Sequence, residues 1–229
     1  MKKKIVVLTG AGMSAESGIN TFRDSNGLWE NHDIMEVASP EGWRNNPALV
    51  LDFYNKRRAQ LKEVKPNRGH EILAELEKNF DVQIITQNVD NLHEKAGSSH
   101  VLHLHGELTK VRSVADENYI LDWTEDIHLG DTDTNGNQLR PQIVWFGEAV
   151  PAIEDAIPMM EEADIVIIIG TSLQVYPAAG LMHYAKSSTP VFYIDPKPAT
   201  IYDLANPLEV LAMSASEGLS KIQNQLQIQ

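Results

Sequence analysis

The chain has 229 residues, of which 42% are hydrophobic, so it is long enough for one large domain with a buried core, and wholesale disorder is excluded. A formal net charge of −13 disfavours the phosphate backbone of a nucleic acid as a partner and favours cationic partners such as lysine-rich protein segments. The sequence has no cysteine, which excludes disulfides and thiolate metal sites and is compatible with the reducing cytoplasm, the location that we expect.

The amino terminus, MKKKIVVL, superficially resembles a secretory leader. Its apolar run is too short for the hydrophobic region of a leader and ends in a glycine-containing turn, so we interpret it as a strand. No stretch of the sequence is long enough to span a membrane, and no membrane partner is expected.

Short apolar runs predict the strands of a parallel sheet. Four of them occupy residues 5–8, 82–86, 165–169 and 191–194, and residues 210–213 are a fifth candidate. The runs are mostly continuous and many of their residues are β-branched. This pattern indicates burial on both faces of the sheet, which is typical of parallel strands.

Helical patterns lie between these runs. Asn46 is a capping residue followed by Pro47, which suits the first position of a helix. Asn67 is predicted to cap a second helix, and apolar residues at helical spacing predict a third over residues 219–226. Pro158 either begins or kinks a further helix.

Alternating strands and helices predict an α/β fold with a doubly wound, mainly parallel, Rossmann-like sheet. Residues 113–137 differ from the rest, because they hold seven acids and no lysine or arginine. We interpret them as part of a small inserted module outside the sheet. The predicted module spans residues 106–142, and residues 1–105 and 143–229 form the Rossmann-like part.

The first strand leads into a glycine turn. Gly10-Ala11-Gly12 followed by Ala15 fits the loose dinucleotide pattern, in which the second glycine lets the backbone approach a pyrophosphate. Many such matches are ordinary strand–turn–helix corners. An acid about twenty residues further on should bind the ribose, but the candidates Glu30 and Asp33 do not end a strand. The interpretation as an ordinary dehydrogenase therefore fails.

The loop behind the turn carries Phe22 and Arg23. An arginine there can pair with a phosphate, and a phenylalanine can shield a reacting sugar from water. Neither residue belongs to an ordinary dinucleotide turn.

Five motifs together resemble one family. They are GAGMSAESGINTFRDSNGLWE (10–30), TQNVDNLHEKAG (86–97), HLHGEL (103–108), LRPQIVWFGEAVP (139–151) and GTSLQVYPAAGL (170–181). In this order they resemble the sirtuins, the NAD-dependent protein lysine deacylases. The resemblance covers nearly the whole chain, and five separate motifs make it highly specific.

The resemblance implies a reaction and its base. In the family the acyl oxygen of the substrate attacks C1′ of the nicotinamide ribose, and the products are nicotinamide, free lysine and O-acyl-ADP-ribose. A neutral imidazole suits the base that activates a ribose hydroxyl. The motif places this base at His105, before Gly106, while His93 and His103 are expected to be core residues.

The implied cofactor is NAD. The resemblance assigns its site to Gly10, Ala11, Gly12, Ser14, Ala15, Glu16, Thr21, Phe22, Arg23, Trp29, Gln87, Asn88, Val89, Asp90, Gly170, Thr171, Ser172, Asp195 and Ala215. Asp195 stands where the family usually has asparagine, and its carboxylate would repel a 2′-phosphate, which favours NAD over NADP. Helix capping by Asn88 or Asp90 and an ordinary strand-end turn at residues 170–172 are the alternative interpretations.

The implied substrate is an acyl-lysine on an extended peptide. Val144, Phe146 and Gly147 match the loop along which such a peptide adds as a strand, although core packing would also explain them. Tyr54 and Arg57, three residues apart on a predicted helix, resemble the subfamily that removes succinyl and malonyl groups.

An alternative treats Tyr54 and Arg57 as solvated residues of a basic helix face that includes Lys56 and Arg58. If Tyr54 and Arg57 instead form an acyl pocket, Arg58 is expected to lie one step off their face and to have no role in the site.

The family's structural zinc has no ligands here. The expected cysteine positions are occupied by Ser113, Asp116, Thr132 and Asn135. No metal is therefore expected, and another interaction must hold the module. We predict a small core formed by Tyr119, Ile120, Leu121 and Trp123.

Residues 131–136, DTDTNG, mimic the first half of a calcium loop, but position twelve is Gln142 rather than glutamate. A hairpin turn at Asn135-Gly136 explains the segment more simply.

The sequence thus predicts an NAD-dependent protein lysine deacylase acting on acetyl and on succinyl or malonyl groups. Two alternatives remain: a protein ADP-ribosyltransferase or NAD-cleaving enzyme using the same pocket, and a non-enzymatic NAD-binding module.

Overall fold

A computed structural model describes residues 2–20, 28–29 and 32–227. The strands in chain order are β1 (Lys4–Thr9), β2 (Leu28–Trp29), β3 (His32–Asp33), β4 (Asp81–Thr86), β5 (Val101–His103), β6 (Gly106–Ser113), β7 (Ile120–Asp122), β8 (Leu139–Ile143), β9 (Ile165–Ile169), β10 (Val191–Ile194) and β11 (Leu208–Leu211). The α-helices are α1 (Ile34–Val37), α2 (Pro40–Asn45), α3 (Pro47–Glu63), α4 (Arg68–Leu76), α5 (Leu92–Ala96), α6 (Ile153–Glu161) and α7 (Ala215–Gln227). None of the helices in these described ranges is long and apolar enough to cross a membrane.

The main sheet is parallel and doubly wound, as predicted. Within the described residues its strand order is β11-β10-β9-β1-β4-β5, and every neighbouring pair is parallel. The chain moves outward from β1 to β4 and β5, and then returns to the other side of β1 for β9, β10 and β11. The carboxyl ends of β1 and β9 therefore flank the point where the strand order reverses, the usual ligand crevice of such sheets.

Both faces of the sheet are buried, which explains the continuous apolar runs. In β1, Ile5 and Val7 pack with residues of α4 and α7 on one side of the sheet. Val6 and Leu8 pack with residues of α6 and of the 3₁₀ segment Ala178–Tyr184 on the other side. All four side chains are fully buried.

The two predicted capping residues, Asn46 and Asn67, stand at the starts of α3 and α4. Asn46 Oδ1 accepts a hydrogen bond from Leu49 N at 3.1 Å at the start of α3. Asn67 Oδ1 accepts from the backbone of Gly69 and His70 at the start of α4. Pro158 lies inside α6, so it does not begin that helix.

Other elements differ from the prediction. The candidate strand at residues 210–213 begins two residues earlier, as β11. The helices α1, α2 and α5 and the strand β5 were not predicted, because each is too short for a clear period. The strands of the small module were not predicted either, although β6 has eight residues.

The small module contains a separate antiparallel sheet of order β7-β6-β8. Its core joins α3 to the module through Leu51, Val111, Ile127 and Leu139. The predicted small core is half right: Tyr119 and Trp123 pack against this cluster. Ile120 and Leu121 are instead 42% and 39% exposed, because β7 is an edge strand.

A hydrogen-bond node, centred on Asp133, includes Ser113, one of the four positions where the resemblance implies a zinc cysteine. Ser113 Oγ donates to Asp133 Oδ2 at 2.7 Å, and Asp133 Oδ1 accepts from Asn135 N at 2.8 Å and Asn137 N at 2.9 Å. The hydrogen bond from Ser113, followed by those from Asn137, lowers the pKa of the Asp133 carboxyl. Asp133 is 6% exposed, so this node ties β6 to the segment before β8 from inside the module.

The segment that mimics a calcium loop is a turn. Gly136 N donates to Asp133 O at 3.1 Å, and Gly136 has φ +84°. The carboxylates of Asp131 and Asp133 accept backbone N–H groups of the same segment. This arrangement agrees with the predicted hairpin turn.

We predict that Asp133→Ala lowers the midpoint of thermal unfolding by several degrees, because three donors lose their acceptor inside the module. Glu117→Ala, which removes an exposed acid of the same module, is the control. Differential scanning calorimetry of both variants makes the comparison, and equal midpoints would show that the node is dispensable.

We also predict that the purified protein contains no stoichiometric zinc and that EDTA leaves its thermal midpoint unchanged, since none of the four expected ligand positions is a cysteine. Elemental analysis and a melting curve with and without EDTA provide the measurement. A drop in the midpoint that zinc reverses would contradict this prediction, and reversal by calcium alone would revive the calcium loop.

Candidate active site

The turns after β1 and β9 touch directly. Gly10 N donates to Ile169 O at 2.9 Å, and Gly12 N donates to Gly170 O at 2.8 Å. A Cβ atom on Gly12 would lie 2.6 Å from Gly170 Cα, and one on Gly10 would lie 2.8 Å from Thr171 Cβ. The glycines are thus required for contact between the two turns, a reason that the sequence pattern did not reveal.

A cluster of hydrogen bonds joins the loop after β1 to the loop after β4. Ser14 Oγ donates to Asp90 Oδ2 at 2.9 Å and accepts from Asn88 Nδ2 at 3.2 Å. Asn88 Nδ2 also donates to Gly10 O at 3.0 Å. Burial raises the pKa of Asp90, against the hydrogen bonds from Leu92 N and Ser14. Four predicted cofactor residues therefore meet at the carboxyl edge of the sheet.

The chain leaves this turn through two short 3₁₀ segments, Ala11–Met13 and Ala15–Ser17, instead of the long helix of an ordinary dinucleotide fold. Asp90 also accepts from Leu92 N at 3.0 Å beside α5, so its interpretation as a local cap is partly correct.

His105 is oriented by Gln87. The His105 Nδ1 donates to Gln87 O at 3.1 Å, because a carbonyl oxygen can only accept, and Nε2 is left as the basic nitrogen. Burial lowers the pKa of His105, and the hydrogen bond to Gln87 offsets only part of this effect. The imidazole is therefore neutral at neutral pH, as a general base must be.

Gln87 is itself fixed between the two central strands. Its backbone N donates to Thr9 O at 2.9 Å, and its Nε2 donates to Thr171 Oγ1 at 3.1 Å. The side chain thus bridges the crevice between β4 and β9.

The backbone conformation at position 106 explains why a glycine follows His105. Its φ is +81°, and a Cβ atom would lie 2.0 Å from Gln142 O. The backbone can therefore turn sharply from β5 into β6 at the histidine only with glycine in this position.

The other two histidines of this region belong to the scaffold, as expected. His103 contacts Asn88 O at 3.0 Å and Glu94 Oε1 at 2.8 Å. Burial opposes protonation of His103, but the hydrogen bond and charge of Glu94 outweigh it and raise its pKa. His93 is 1% exposed, contacts Thr9 Oγ1 at 3.2 Å, and has a pKa well below its ordinary value because of burial.

Other described cofactor candidates lie in or beside the loops that follow the strands of the main sheet. Asp195 follows β10, is 2% exposed, and accepts from Lys197 N at 2.8 Å. Glu16 Oε2 accepts from Ser216 N at 2.9 Å, next to the buried Ala215. Ala11, Val89 and Ser172 are half-buried and Ala15 is exposed.

Three cofactor candidates of the loop after Gly18, namely Thr21, Phe22 and Arg23, lie outside the described residues. The backbone of Trp29 lies in β2, where it pairs with His32 of β3.

Tyr54 and Arg57 lie on α3. Tyr54 is fully buried, and burial raises the pKa of its phenol far above the ordinary value, so it stays protonated. The Arg57 guanidinium carbon lies 4.6 Å from the centre of the Phe53 ring. Tyr54 is therefore not a solvated residue, whereas Lys56 is exposed and pairs with Asp52 at 2.7 Å.

The interpretation of Arg58 as a solvated residue is wrong. Its side chain is buried, with Nε donating to Leu108 O and a terminal nitrogen donating to Asn55 Oδ1, both at 2.8 Å. Burial lowers its pKa to about 10. Arg58 lies four residues after Tyr54 and so shares its inward face of the helix, a periodicity that the charged residue type obscured.

The predicted substrate loop follows β8. Val144 N donates to His105 O at 2.9 Å, so the loop begins beside the candidate base. Phe146 is 43% exposed, and its N donates to Ala38 O at 2.9 Å. Gly147 is exposed with φ +92°. Core packing therefore does not explain Phe146 and Gly147, whereas Val144 is half-buried.

Sequence reasoning missed Trp145. It is 2% exposed, and its Nε1 donates to Tyr54 OH at 3.1 Å. A tryptophan within a polar loop motif was the available signal, because a buried indole N–H needs an acceptor.

Comparisons with known proteins identify the family of the chain. The model of the Sir2 family matches residues 10–177. A protein named NAD-dependent protein deacylase from Bacteroides thetaiotaomicron is 59% identical over 230 residues, covering 98% of each chain. Another of that name from Helicobacter pylori (strain ATCC 700392 / 26695) is 63% identical over 195 residues, covering 85% of each.

A solved structure of a Sir2 homologue in complex with NAD is 36% identical, with a TM-score of 0.87, covering 99% of this chain and 90% of that chain. The match of the family model and the identity to full-length relatives lead to one conclusion: the chain belongs to the Sir2 family.

Proposed function

We propose that this chain removes acidic acyl groups, succinyl and malonyl, from protein lysines in preference to acetyl. It is an NAD-dependent protein deacylase, in agreement with its family and with relatives at 59% and 63% identity. The observation that carries the proposed preference is the buried Tyr54 phenol beside Arg57 on α3.

The residues at the crevice fit NAD. The glycine turn, the Ser14–Asn88–Asp90 cluster and the Gln87–Thr171 pair surround the carboxyl ends of β1, β4 and β9. When bound, NAD supplies the ribose carbon that accepts the acyl oxygen. We assign the other described cofactor candidates to the same site by their place near these strand ends. Thr21, Phe22 and Arg23, which lie outside the described residues, are assigned to it by the resemblance of their motif alone.

His105 is proposed to act as the base. Its Nε2 is free of the bond that fixes Nδ1, and its lowered pKa keeps this nitrogen unprotonated at neutral pH. Nε2 would take a proton from a ribose hydroxyl. The backbone N–H of Val144 donates a hydrogen bond to His105 O, and the loop that begins there would place the acyl-lysine peptide along Phe146 and Gly147.

Arg57 would bind the distal carboxylate of the acyl group. A charge-assisted hydrogen bond in a partly dry pocket is worth about 1.5–3 kcal/mol. At about 1.4 kcal/mol per factor of ten, this amounts to roughly a ten- to hundredfold preference in kcat/KM over acetyl-lysine. Tyr54, kept neutral by burial, would add a second donor to that carboxylate.

Incubation with NAD and a succinyl-lysine peptide, followed by mass spectrometry, tests the activity. Nicotinamide, free lysine peptide and O-succinyl-ADP-ribose are the products expected. ADP-ribosylated peptide, or free ADP-ribose without deacylation, would instead indicate a transferase or an NAD-cleaving enzyme. Binding of NAD without any product would indicate a non-enzymatic module.

The cytoplasmic location stays a prediction.

His105→Ala is expected to lower kcat by at least about a hundredfold while NAD binding is retained, because the base acts after binding. In the wild type, the acid limb of kcat/KM against pH is expected below the ordinary histidine pKa of about 6.5, since burial lowers the pKa of His105. Steady-state kinetics and calorimetric titration with NAD check both points. Near wild-type turnover in the variant would remove His105 from its proposed role.

Arg57→Met is expected to lower kcat/KM for a succinyl-lysine peptide by roughly ten- to hundredfold and to leave deacetylation nearly unchanged. Lys56→Met is the matched control, because Lys56 is an exposed cation on the same helix. Arg58 is unsuitable as a control, since it is buried and links α3 to β6. Equal losses on both substrates in Arg57→Met would support a simple deacetylase.

A further inference from the structure

Arg140 and Trp43 pack against the indole ring of Trp145. The Arg140 guanidinium carbon lies 3.2 Å from the centre of the Trp145 ring, and the Trp43 ring centre lies 5.8 Å away at 36°. Arg140 and Trp145 are 6% and 2% exposed. The ring therefore has little freedom to rotate, and its N–H group points in a fixed direction.

Glu148 fixes the arginine and the loop together. Arg140 donates to both Glu148 oxygens at 2.7 and 3.1 Å, and Arg112 donates to one of them at 3.0 Å. Glu148 Oε2 also accepts from Trp145 N at 2.8 Å. The carboxylate thus holds the backbone of Trp145 and, through Arg140, the ring.

The fixed indole N–H meets the hydroxyl of Tyr54 at 3.1 Å. A phenol O–H lies near the plane of its ring and has two favourable orientations, and a donor on one side leaves only the other for the proton. Arg57 lies three residues further along the same helix face, and its charge acts on the phenol.

We propose that Trp145 is a positioning residue for the acyl pocket: its indole N–H turns the Tyr54 hydroxyl into a donor aimed at the distal carboxylate of the acyl group. The inference rests on the acidic-acyl preference proposed above. Accepting one hydrogen bond also polarises the phenol, so that its own O–H donates more strongly. Acetyl-lysine has no distal carboxylate and gains nothing from this orientation.

Trp145→Phe keeps an aromatic ring over Arg140 and removes the N–H. It is expected to raise KM for a succinyl-lysine peptide about three- to tenfold with little change in kcat, the size of one hydrogen bond. Deacetylation is expected to change little. In a Tyr54→Phe background the same replacement should have no effect on the succinyl peptide, because Trp145 acts through the hydroxyl.

Trp123→Phe is the matched control. Trp123 Nε1 donates to Asp126 O at 3.2 Å in the small module, so this variant also loses one indole hydrogen bond, but away from α3. It should alter neither activity. If Trp145→Phe does not fold, benzothienylalanine at this position keeps both fused rings and replaces N–H by sulfur.

The outcomes separate this inference from the proposed function. If Tyr54→Phe and Arg57→Met lose succinyl activity selectively but Trp145→Phe does not, the positioning role is overturned and the acidic-acyl preference stands. Equal losses of Trp145→Phe on both peptides would also overturn it, because they indicate a structural role alone. If no variant is selective for the succinyl peptide, the preference itself fails.

Discussion

The site depends on the contact between the turns that follow β1 and β9. Gly12 and Gly170 approach so closely that a single methyl group on either would overlap the backbone of the other turn. This contact places Thr171 next to Gln87, and Gln87 in turn orients His105. The position of the proposed base therefore depends on the close contact between the two turns at the carboxyl ends of β1 and β9.

Four of the six strands of the main sheet, β1, β4, β9 and β10, could be predicted from the sequence because both faces of the sheet are buried. Burial on both sides leaves few polar positions in these strands, so their apolar runs are easily recognised. The small module gave no such signal. Its strand β7 is exposed at both Ile120 and Leu121, and a buried aspartate, Asp133, helps to hold the module beside a small apolar cluster that includes Val111 and Leu139.

The motifs predict which residues belong to the candidate site, but not how these residues are arranged in space. They predict His105 and the residues around the glycine turn, yet the hydrogen bond that His105 Nδ1 donates to Gln87 O, which selects the tautomer, involves a backbone atom that no residue type encodes. Arg58 shows the opposite difficulty. A charged residue is normally placed on the surface, and only helical periodicity from Tyr54 indicates that it points inward.

The node at Asp133 changes how the module responds to its surroundings. A module held by a bound metal gains stability according to the free concentration of that metal, through mass action. Here the link between β6 and the segment before β8 is intramolecular, so its strength is independent of metal supply. The sequence also has no thiol that an oxidant could convert to a disulfide or a sulfenic acid. Thiol oxidation, a stress that releases metal from thiolate sites, therefore has no target in this module.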